Sequence, residues 1–484
     1  MAPTDQRRSS ARPSVPGSMR SPAELIVVTH GAARPIGPIA LRENDAGRSH
    51  VAAALPGGAR LSPIFGPADR LPGRLRGTDQ EPVGAQYLNY FAVLGVAEDL
   101  EAVAEQLREN DAVAGAYVKP SAEPPIAPLS TAVPSAAAAP PVTPDFQARQ
   151  GYLDAAPAGI DARWAWTRPG GRGTGVRVID IEGAWRFTHE DLTQNQGGVI
   201  GGEPSTDDGW RNHGTAVAGE ISGDVNTFGI TGIAPEATIR AVSVFGPGSA
   251  TAIRTAADAL SPGDIILIEL HRPGPRRNYQ NRADQLGYIA IEWWPDDLAA
   301  IRYATARGVI VVQAAGNGGE DLDAALYDTR PSGFPESWRN PFRGGAEDSG
   351  AVLVGAGAPP PGTHGSDHGP ARSRLAFSNY GSRIDAQGWG REVTTTGYGD
   401  LQGGTDEDYW YTDEFSGTSS ASPIVVGALA CYLGITSTTF ETRNPAHVRQ
   451  MLRATGSPQT DAVGRPATQR IGNLPDVRAM VGEQ

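Results

Sequence analysis

The sequence is poor in cysteine, lysine and long hydrophobic runs, and each shortage excludes a class of protein. A single cysteine, Cys431, excludes an intramolecular disulfide. No apolar run approaches the roughly 20 residues that a membrane helix needs, so we expect no membrane span. Lys119 is the only lysine, and the net charge of −13 argues against a nucleic-acid partner, which usually meets a basic surface.

The N-terminus lacks the apolar core of a secretory signal. Residues 1–20 are rich in Arg, Ser and Pro, and the apolar run at 25–28 is too short for such a core. We therefore expect a protein that is cytoplasmic at synthesis, without a Sec signal peptide. Secretion by a route that needs no Sec signal stays open.

Glycine (61 residues) and proline (40 residues) are abundant, and composition divides the chain into four parts. Residues 1–24 are expected to be a disordered tail, and 25–120 have the mixed pattern of a small α+β domain. Residues 121–149 are rich in Pro and Ala without periodicity, which predicts an exposed linker. The remaining residues, 150–484, form one large domain in this interpretation. Within the small domain the pattern predicts strands over 90–96 and 111–118 and a helix over 98–107.

From residue 150 onward, short β-branched runs alternate with helical runs. This alternation is typical of βαβ units, and it predicts an α/β fold with a mostly parallel sheet covered on both faces. Ligand chemistry in such sheets lies at the carboxyl ends of the strands. The runs are 176–181, 215–221, 239–244, 250–259, 265–270, 298–306 and 309–314.

Two candidate catalytic side chains follow this pattern. Asp180 lies near the end of an apolar strand, 175–183, where a buried carboxylate can fix the tautomer of an imidazole. A carboxylate that caps the following loop is the alternative. His213 lies in the first turn of a small-residue helix, 212–219, where it can act as a base near neutral pH. A structural or surface histidine is the alternative there.

A serine and an asparagine complete the candidates. Ser419 leaves a glycine turn at a helix N-terminus, whose dipole and N–H groups favour a nucleophile and an oxyanion. A Ser/Thr helix cap is the alternative. Asn317 follows the buried strand 309–314, where its amide can donate to a tetrahedral intermediate; an Asn in a turn before Gly318 is the alternative.

These four segments together resemble the subtilisin-like serine protease (subtilase, peptidase S8) family, whose triad also runs Asp, His, Ser along the chain. The likeness covers about 150–455 and includes the segments 188–192, 229–235 and 375–381. It implies a three-layer α/β/α domain and a serine endopeptidase that works through an acyl-enzyme on protein or peptide substrates. It also implies that Asp180 orients, His213 is the base, Ser419 is the nucleophile and Asn317 belongs to the oxyanion hole.

The sequence departs from the family pattern around the site. Glu182 places a second acid near the triad, and Ser420 stands where the family usually has methionine. Many relatives have Ser-Leu/Trp-Gly where this chain has Glu269, Leu270 and His271. These three residues and Gly316 are our candidates for substrate binding. An insertion over 273–294 follows; Glu269 or Glu292 near the primary pocket would favour a basic P1 residue, and surface-loop charges are the alternative.

The small N-terminal domain weakly resembles the family's inhibitory prodomain, which makes the linker a processing zone. A permanent accessory domain is the equal alternative, and a separate inhibitor protein is a further partner that would restrain the enzyme. No cofactor is expected. Structural calcium is compatible with the family, and Glu320, Asp321 and Asp323 are acidic, but no spacing indicates a calcium loop.

Two other functions stay open at this point. One is a catalytically inactive binding protein that retains the fold, against which the intact candidate residues argue. The other is a peptide transferase or macrocyclase, which needs water excluded from the acyl-enzyme. The insertion over 273–294 is the candidate lid for that reaction.

Overall fold

The computed structural model describes residues 19–30, 47–66, 85–126, 140, 142–436 and 443–483. Most of the predicted disordered tail over 1–24 lies outside the described residues, as does most of the predicted linker beyond residue 126. Ser21 and Glu24 are described: the N–H of Ser21 donates to the carbonyl of Ala122, and Glu24 begins the first strand.

The N-terminal unit is a four-stranded antiparallel sheet in the strand order β2-β3-β1-β4, with α-helical residues 47–53 and one longer helix packed into the same apolar cluster. The longer helix begins at Asp99, whose carboxylate accepts from the N–H groups of Glu101 and Ala102. Its buried residues Val103 and Leu107 repeat at helical spacing and face the sheet. The elements are β1 (Glu24–Thr29), β2 (Arg60–Pro63), β3 (Tyr90–Leu94), α1 (Leu100–Arg108) and β4 (Val113–Lys119).

The second unit is built on a seven-stranded sheet in which every pairing is parallel, in the order β13-β12-β11-β8-β5-β7-β6. Its strands are β5 (Arg177–Glu182), β6 (Gln196–Gly201), β7 (Thr238–Ser243), β8 (Ile265–Ile268), β11 (Ile310–Ala314), β12 (Val352–Gly357) and β13 (Ala386–Trp389). Two hairpins lie outside it: β9 (His271–Pro273) with β10 (Tyr288–Ala290), and β14 (Val393–Thr396) with β15 (Tyr411–Phe415). The helices are α2 (Ala162–Ala165), α3 (Asp208–Ser222), α4 (Ser249–Ala259), α5 (Pro295–Ala306), α6 (Thr418–Ile435), α7 (Pro445–Ala454) and α8 (Val477–Val481).

Helices cover both faces of this sheet, because its central strands are apolar on both sides. In β8 and β11 every residue is buried, and their side chains alternate between two separate apolar clusters. One cluster contains α3 and α6; the other contains α4 and α5. The predicted three-layer α/β/α fold with a mostly parallel sheet and a small α+β domain before it is therefore confirmed.

Helix α6 is long and apolar enough to cross a membrane by length and composition alone. However, 94% of its apolar window is buried inside the fold. Its composition follows from its place in the core, where it packs on β11, β12 and β13. Cys431 lies on this helix and is buried with it.

The N-terminal sheet lies against helices of the second unit. Ile26, Val28 and Tyr117 point away from α1 and share an apolar cluster with Tyr303 of α5. At the edge of this contact Lys119 is completely buried, and its Nζ lies 2.5 Å from Asp296 Oδ2 and 3.0 Å from Asp297 Oδ1. The contact therefore joins apolar packing to a buried ion cluster.

Candidate active site

His213 lies in α3, whose first turn is capped by the carboxylate of Asp207 accepting from the N–H of Trp210. The imidazole is completely buried, and Phe415 packs edge-on against it with ring centroids 5.5 Å apart. Nδ1 of His213 lies 2.7 Å from Oε2 of Glu182. Nε2 makes no hydrogen bond within the described residues, so it is free to take a proton.

The carboxylate against His213 belongs to Glu182, where the sequence analysis expected that of Asp180. Asp180 Oδ2 instead accepts a 2.7 Å hydrogen bond from Nε1 of Trp185. Residues i and i+2 of a strand face the same side, so both acids project from β5 toward α3. Glu182 is the residue that reaches the ring. Asp180 lies close enough to Glu182 for repulsion between the two carboxylates to raise the pKa of Asp180, so the two acids act on each other.

Ser419 lies in the first turn of α6, after Gly417, whose φ of 107° is a conformation that favours glycine. Helices α3 and α6 pack against each other, and Phe415 at the end of β15 connects the serine turn to His213. The N–H of Ser419 points out of the helix and donates to the carbonyl of Pro125 at 3.4 Å. The structure thus places an N–H donor at the predicted nucleophile.

Asn317 is oriented by the helix that carries Ser419. Its Oδ1 accepts from both the N–H and the hydroxyl of Thr418, each at 3.0 Å, which leaves Nδ2 as a donor toward the cleft. Nδ2 contacts Oε1 of Gln285 at 3.3 Å. Gly316, a candidate for substrate binding, has its N–H bonded to the hydroxyl of Thr418 and positions Asn317 instead.

The three residues after β8 have different environments. Leu270 is part of the apolar core, and the backbone of His271 pairs with another part of the chain. Glu269 is completely buried, and its Oε1 lies 2.6 Å from the hydroxyl of Ser422. That hydroxyl also lies 2.7 Å from the carbonyl of Thr418, to which it can only donate, so a neutral Glu269 that donates to Ser422 satisfies both contacts.

Glu269 and Glu292 are the two acids expected to favour a basic P1 residue. Neither offers a free carboxylate to a substrate, and neither lies in a surface loop. Glu269 faces inward, toward the helix of Ser419. Glu292 is completely buried, and its Oε2 accepts from Arg383 at 2.8 Å. A salt bridge already neutralises that carboxylate. The structure therefore gives no support to the expected basic preference.

Burial changes the pKa values of the acids around His213 and of His213 itself. Burial, and then repulsion between carboxylates, raises the pKa of Asp180, and burial raises the pKa of Glu182 and of Glu269. Burial outweighs the attraction of Asp180 and lowers the pKa of His213 to about 3. Glu220 of α3 is a further buried acid whose pKa burial raises. The site thus favours a neutral imidazole and disfavours full ionisation of the neighbouring acids.

The segment 121–126 occupies the cleft beside Ser419, although the composition predicted an exposed linker. Its residues 122–125 are buried. The backbone of Glu123 pairs with His271 in both directions, each bond 3.1 Å long, as in an antiparallel sheet. Two residues on, the carbonyl of Pro125 lies at the N–H of Ser419. Pairing with a strand edge gives this proline-rich segment its burial, which composition does not reveal.

The insertion over 273–294 contributes a second side of the cleft through the β9–β10 hairpin. Nε2 of Gln285 donates to the carbonyl of Pro124 at 3.0 Å. The hydroxyl of Tyr288 lies 2.8 Å from Oε1 of Glu123. Neither Gln285 nor Tyr288 was predicted from the sequence, because a Gln or Tyr within an insertion carries no pattern that distinguishes it from its neighbours.

Within the described residues no group of three or more His, Cys, Asp or Glu side chains is arranged to hold a metal ion. Of the acids considered for calcium, Glu320 bonds to Arg276 and to the hydroxyl of Tyr327, and Asp323 bonds to Ser382. The carboxylates of Glu320 and Asp323 are therefore already bonded to other side chains of the same chain.

Comparison with known proteins shows that the sequence of this chain is similar to those of proteases. A family model described as "Subtilase family" matches residues 180–472. Subtilisin BL of Lederbergia lenta is 29% identical over 264 residues, which are 53% of this chain and 76% of that protein. Alkaline elastase YaB of Bacillus sp. is 30% identical over 261 residues, 53% of this chain and 54% of that protein.

Two solved structures share the fold across nearly the whole chain. Fervidolysin of Fervidobacterium pennivorans, a keratinolytic enzyme related to subtilisin, has a TM-score of 0.55 at 18% identity and covers 98% of this chain and 62% of that one. The epidermin leader peptide processing serine protease of Staphylococcus aureus has a TM-score of 0.55 at 16% identity. It covers 96% of this chain and 98% of that one.

Proposed function

The chain belongs to the subtilase family of serine-type endopeptidases, and we propose that Glu182, His213 and Ser419 form its catalytic triad. The observation that carries the proposal is the 2.7 Å contact between His213 Nδ1 and Glu182 Oε2, opposite a free Nε2. A carboxylate on Nδ1 fixes the tautomer in which Nε2 is a base. Nε2 then takes the proton of Ser419 as its Oγ attacks the peptide carbonyl.

Asp180 serves in this proposal as a positioning residue for Glu182. The two acids are buried beside each other and repel, and one proton shared between them leaves the pair with a single negative charge. Trp185 holds the other side of Asp180 through its Nε1–H. This arrangement keeps the charge on the carboxyl group that faces His213, where it stabilises the imidazolium during the reaction.

The oxyanion hole is formed by the N–H of Ser419 and Nδ2 of Asn317. The position of the Pro125 carbonyl at the Ser419 N–H supports this, because it is the position of a scissile carbonyl. Thr418 prevents the Asn317 amide from turning. Both donors are thus oriented before charge develops on the carbonyl oxygen. The acyl-enzyme forms when His213 returns its proton to the leaving amine, and water then releases it.

The N-terminal unit acts as an inhibitory prodomain of the same chain. Its sheet packs on α4 and α5, and its C-terminal segment 121–126 lies in the cleft, where Glu123 pairs with His271 as a substrate strand would. With Pro125 at the oxyanion hole, the bond presented to Ser419 is the one between Pro125 and Ile126. The other reading, a permanent accessory domain, does not account for a segment placed over the nucleophile.

Neither alternative function is favoured. An inactive binding protein has no need of an imidazole held on one side by a carboxylate and free on the other. A transferase would need a lid that excludes water from Ser419. The β9–β10 hairpin instead forms one side of the cleft, where Gln285 contacts the segment that occupies it.

The test compares wild type with Ser419→Ala, using a fluorophosphonate probe and intact-mass measurement. We expect wild type to be labelled at Ser419 and to yield fragments that end and begin at the 125/126 bond. Ser419→Ala should stay unlabelled and full-length. Absence of label on wild type under all conditions would rule out the triad. Labelling without a cut at 125/126 would remove only the prodomain proposal.

A further inference from the structure

One side chain of the segment in the cleft is surrounded by hydrogen-bond donors. Glu123 is 7% exposed, and its Oε1 lies 2.8 Å from the hydroxyl of Tyr288 and 2.7 Å from Nε of Arg20. Nε2 of Gln285 lies 3.5 Å from Oε2 of the same carboxylate. A buried carboxylate with three donors is a recognised group, since an unpaired one would be strongly destabilising.

The backbone register determines where this carboxylate lies relative to the reacting bond. The carbonyl of Pro125 lies at the N–H of Ser419, so Glu123 is the third residue before the scissile bond, the P3 position. Its N–H and carbonyl both pair with His271. Any substrate that adopts the same pairing directs its P3 side chain to the same place.

Two of the three donors belong to the catalytic unit. Arg20 precedes β1 and leaves with the N-terminal unit, whereas Gln285 and Tyr288 belong to the β9–β10 hairpin and remain. The hydroxyl of Tyr288 accepts a 2.8 Å hydrogen bond from the N–H of Arg282. Its own proton is therefore directed toward the substrate side chain.

The donor arrangement distinguishes a carboxylate from an amide of the same shape. The Tyr288 hydroxyl and the Gln285 amide nitrogen both donate, and the Gln285 amide oxygen is occupied by Nδ2 of Asn317. A glutamine at P3 can accept from one of these donors with its amide oxygen, but its NH2 group then faces the other donor, and a lysine would bring a charge of the wrong sign. The hairpin is thus suited to an acceptor-only side chain.

We propose that the catalytic unit selects protein substrates with a glutamate side chain at P3, through Tyr288 and Gln285 as specificity-determining residues. The inference rests on the proposed function, because it assigns a subsite of the same active site. Selectivity arises from hydrogen bonds to a charged group in a buried place, which are stronger than neutral ones.

The test uses the full-length protein after self-cleavage and three fluorogenic peptides, Ala-Xaa-Pro-Pro-Ile-Ala with Glu, Gln or Lys as Xaa. For wild type we expect kcat/KM to be about 10- to 100-fold higher for Glu than for Gln, and lower still for Lys. Tyr288→Phe should lose most of the preference for Glu, so that its kcat/KM values for the Glu and Gln peptides converge. Mass spectrometry of the products confirms that the cut follows the second proline.

Equal cleavage of the three peptides by wild type overturns the inference, as does cleavage of none of them by a protein that the fluorophosphonate labels. A Tyr288→Phe variant that folds and keeps the full preference overturns it too. If that variant does not fold, the wild-type comparison alone decides. Failure of the proposed function is distinct, because there Ser419 takes no label at all.

Discussion

Nδ1 of His213 lies 2.7 Å from Oε2 of Glu182, and both side chains are completely buried. A glutamine at position 182 retains the shape but not the charge that stabilises the imidazolium. We expect Glu182→Gln to lower kcat by about 1,000- to 10,000-fold with little change in KM, since the contact acts in the transition state. Steady-state kinetics on a peptide substrate measures this effect.

Asp180→Asn is the matched control for this variant. An asparagine can still accept from Trp185, as Asp180 does, and its NH2 group can donate to Glu182. We expect kcat to fall by only about 10- to 100-fold, as is typical when the partner of a directly acting residue is removed. If instead Asp180→Asn were the crippled variant and Glu182→Gln the active one, the assignment of the triad acid would be reversed.

Sequence patterns favoured Asp180, whereas the carboxyl group at Nδ1 of His213 is that of Glu182, for a geometric reason. Asp180 and Glu182 are two residues apart on β5 and share a face, so strand periodicity treats them equally. The order of motifs in the family favours the aspartate. Which carboxyl reaches Nδ1 depends on the position of α3 relative to the end of β5, and that is a property of tertiary packing.

The low pKa of His213 predicts an enzyme that works in mild acid. Burial lowers this pKa to about 3 when the cleft is filled, as it is by a bound substrate. The imidazole then stays neutral, and able to take the proton of Ser419, far below its usual pKa of about 6.5. We expect protonation of the imidazole to cause no loss of kcat between about pH 7 and pH 5.

The pH dependence of kcat/KM, which reports the free enzyme, should differ from that of kcat. Without substrate the cleft around His213 opens to water, which removes part of the cause of the shift. The acidic limb of kcat/KM should therefore lie at higher pH than that of kcat, since the two report the free enzyme and the complex. A kcat that halves near pH 6.5 would contradict the prediction.

Asp191 predicts how stability depends on pH. Burial raises its pKa to about 7, despite hydrogen bonds from the N–H of Ile230 and the hydroxyl of Tyr411. The folded state thus holds a proton that the unfolded chain releases near pH 4. Its stabilising contribution is complete below about pH 4 and is lost as the pH rises to 7, at up to about 1.4 kcal/mol per pH unit.

Urea unfolding in the Ser419→Ala background measures this slope. Asp191→Asn is neutral at every pH, so its unfolding free energy should fall less steeply between pH 4 and 7 than that of the parent. Asp154→Asn removes an exposed carboxylate and is the control, with the slope of the parent. Equal slopes for Asp191→Asn and the parent would contradict the assignment.

Fold prediction succeeded where a local pattern determined the element. The runs at 265–270 and 309–314 became β8 and β11, because β-branched residues buried on both faces suit a parallel sheet. It was wrong for 121–126, because Pro-rich composition describes the isolated chain. The burial of Glu123 results from pairing with His271, a residue almost 150 positions away, which no local pattern records.

Lys119 predicts how firmly the N-terminal unit blocks the cleft. It is completely buried between Asp296, Asp297 and Glu24, and Lys119→Met leaves the first two carboxylates facing an apolar group. Breaking a buried pair on one side costs about 3–5 kcal/mol, so the unit and its segment 121–126 should leave the cleft far more often. We expect the fluorophosphonate to label Ser419 at least tenfold faster in Lys119→Met than in wild type, whether or not the 125/126 bond is already cut. Arg163→Met breaks an exposed ion pair worth at most about 1 kcal/mol and should leave the rate unchanged. Equal rates in all three proteins would show that this ion cluster does not control access to the nucleophile.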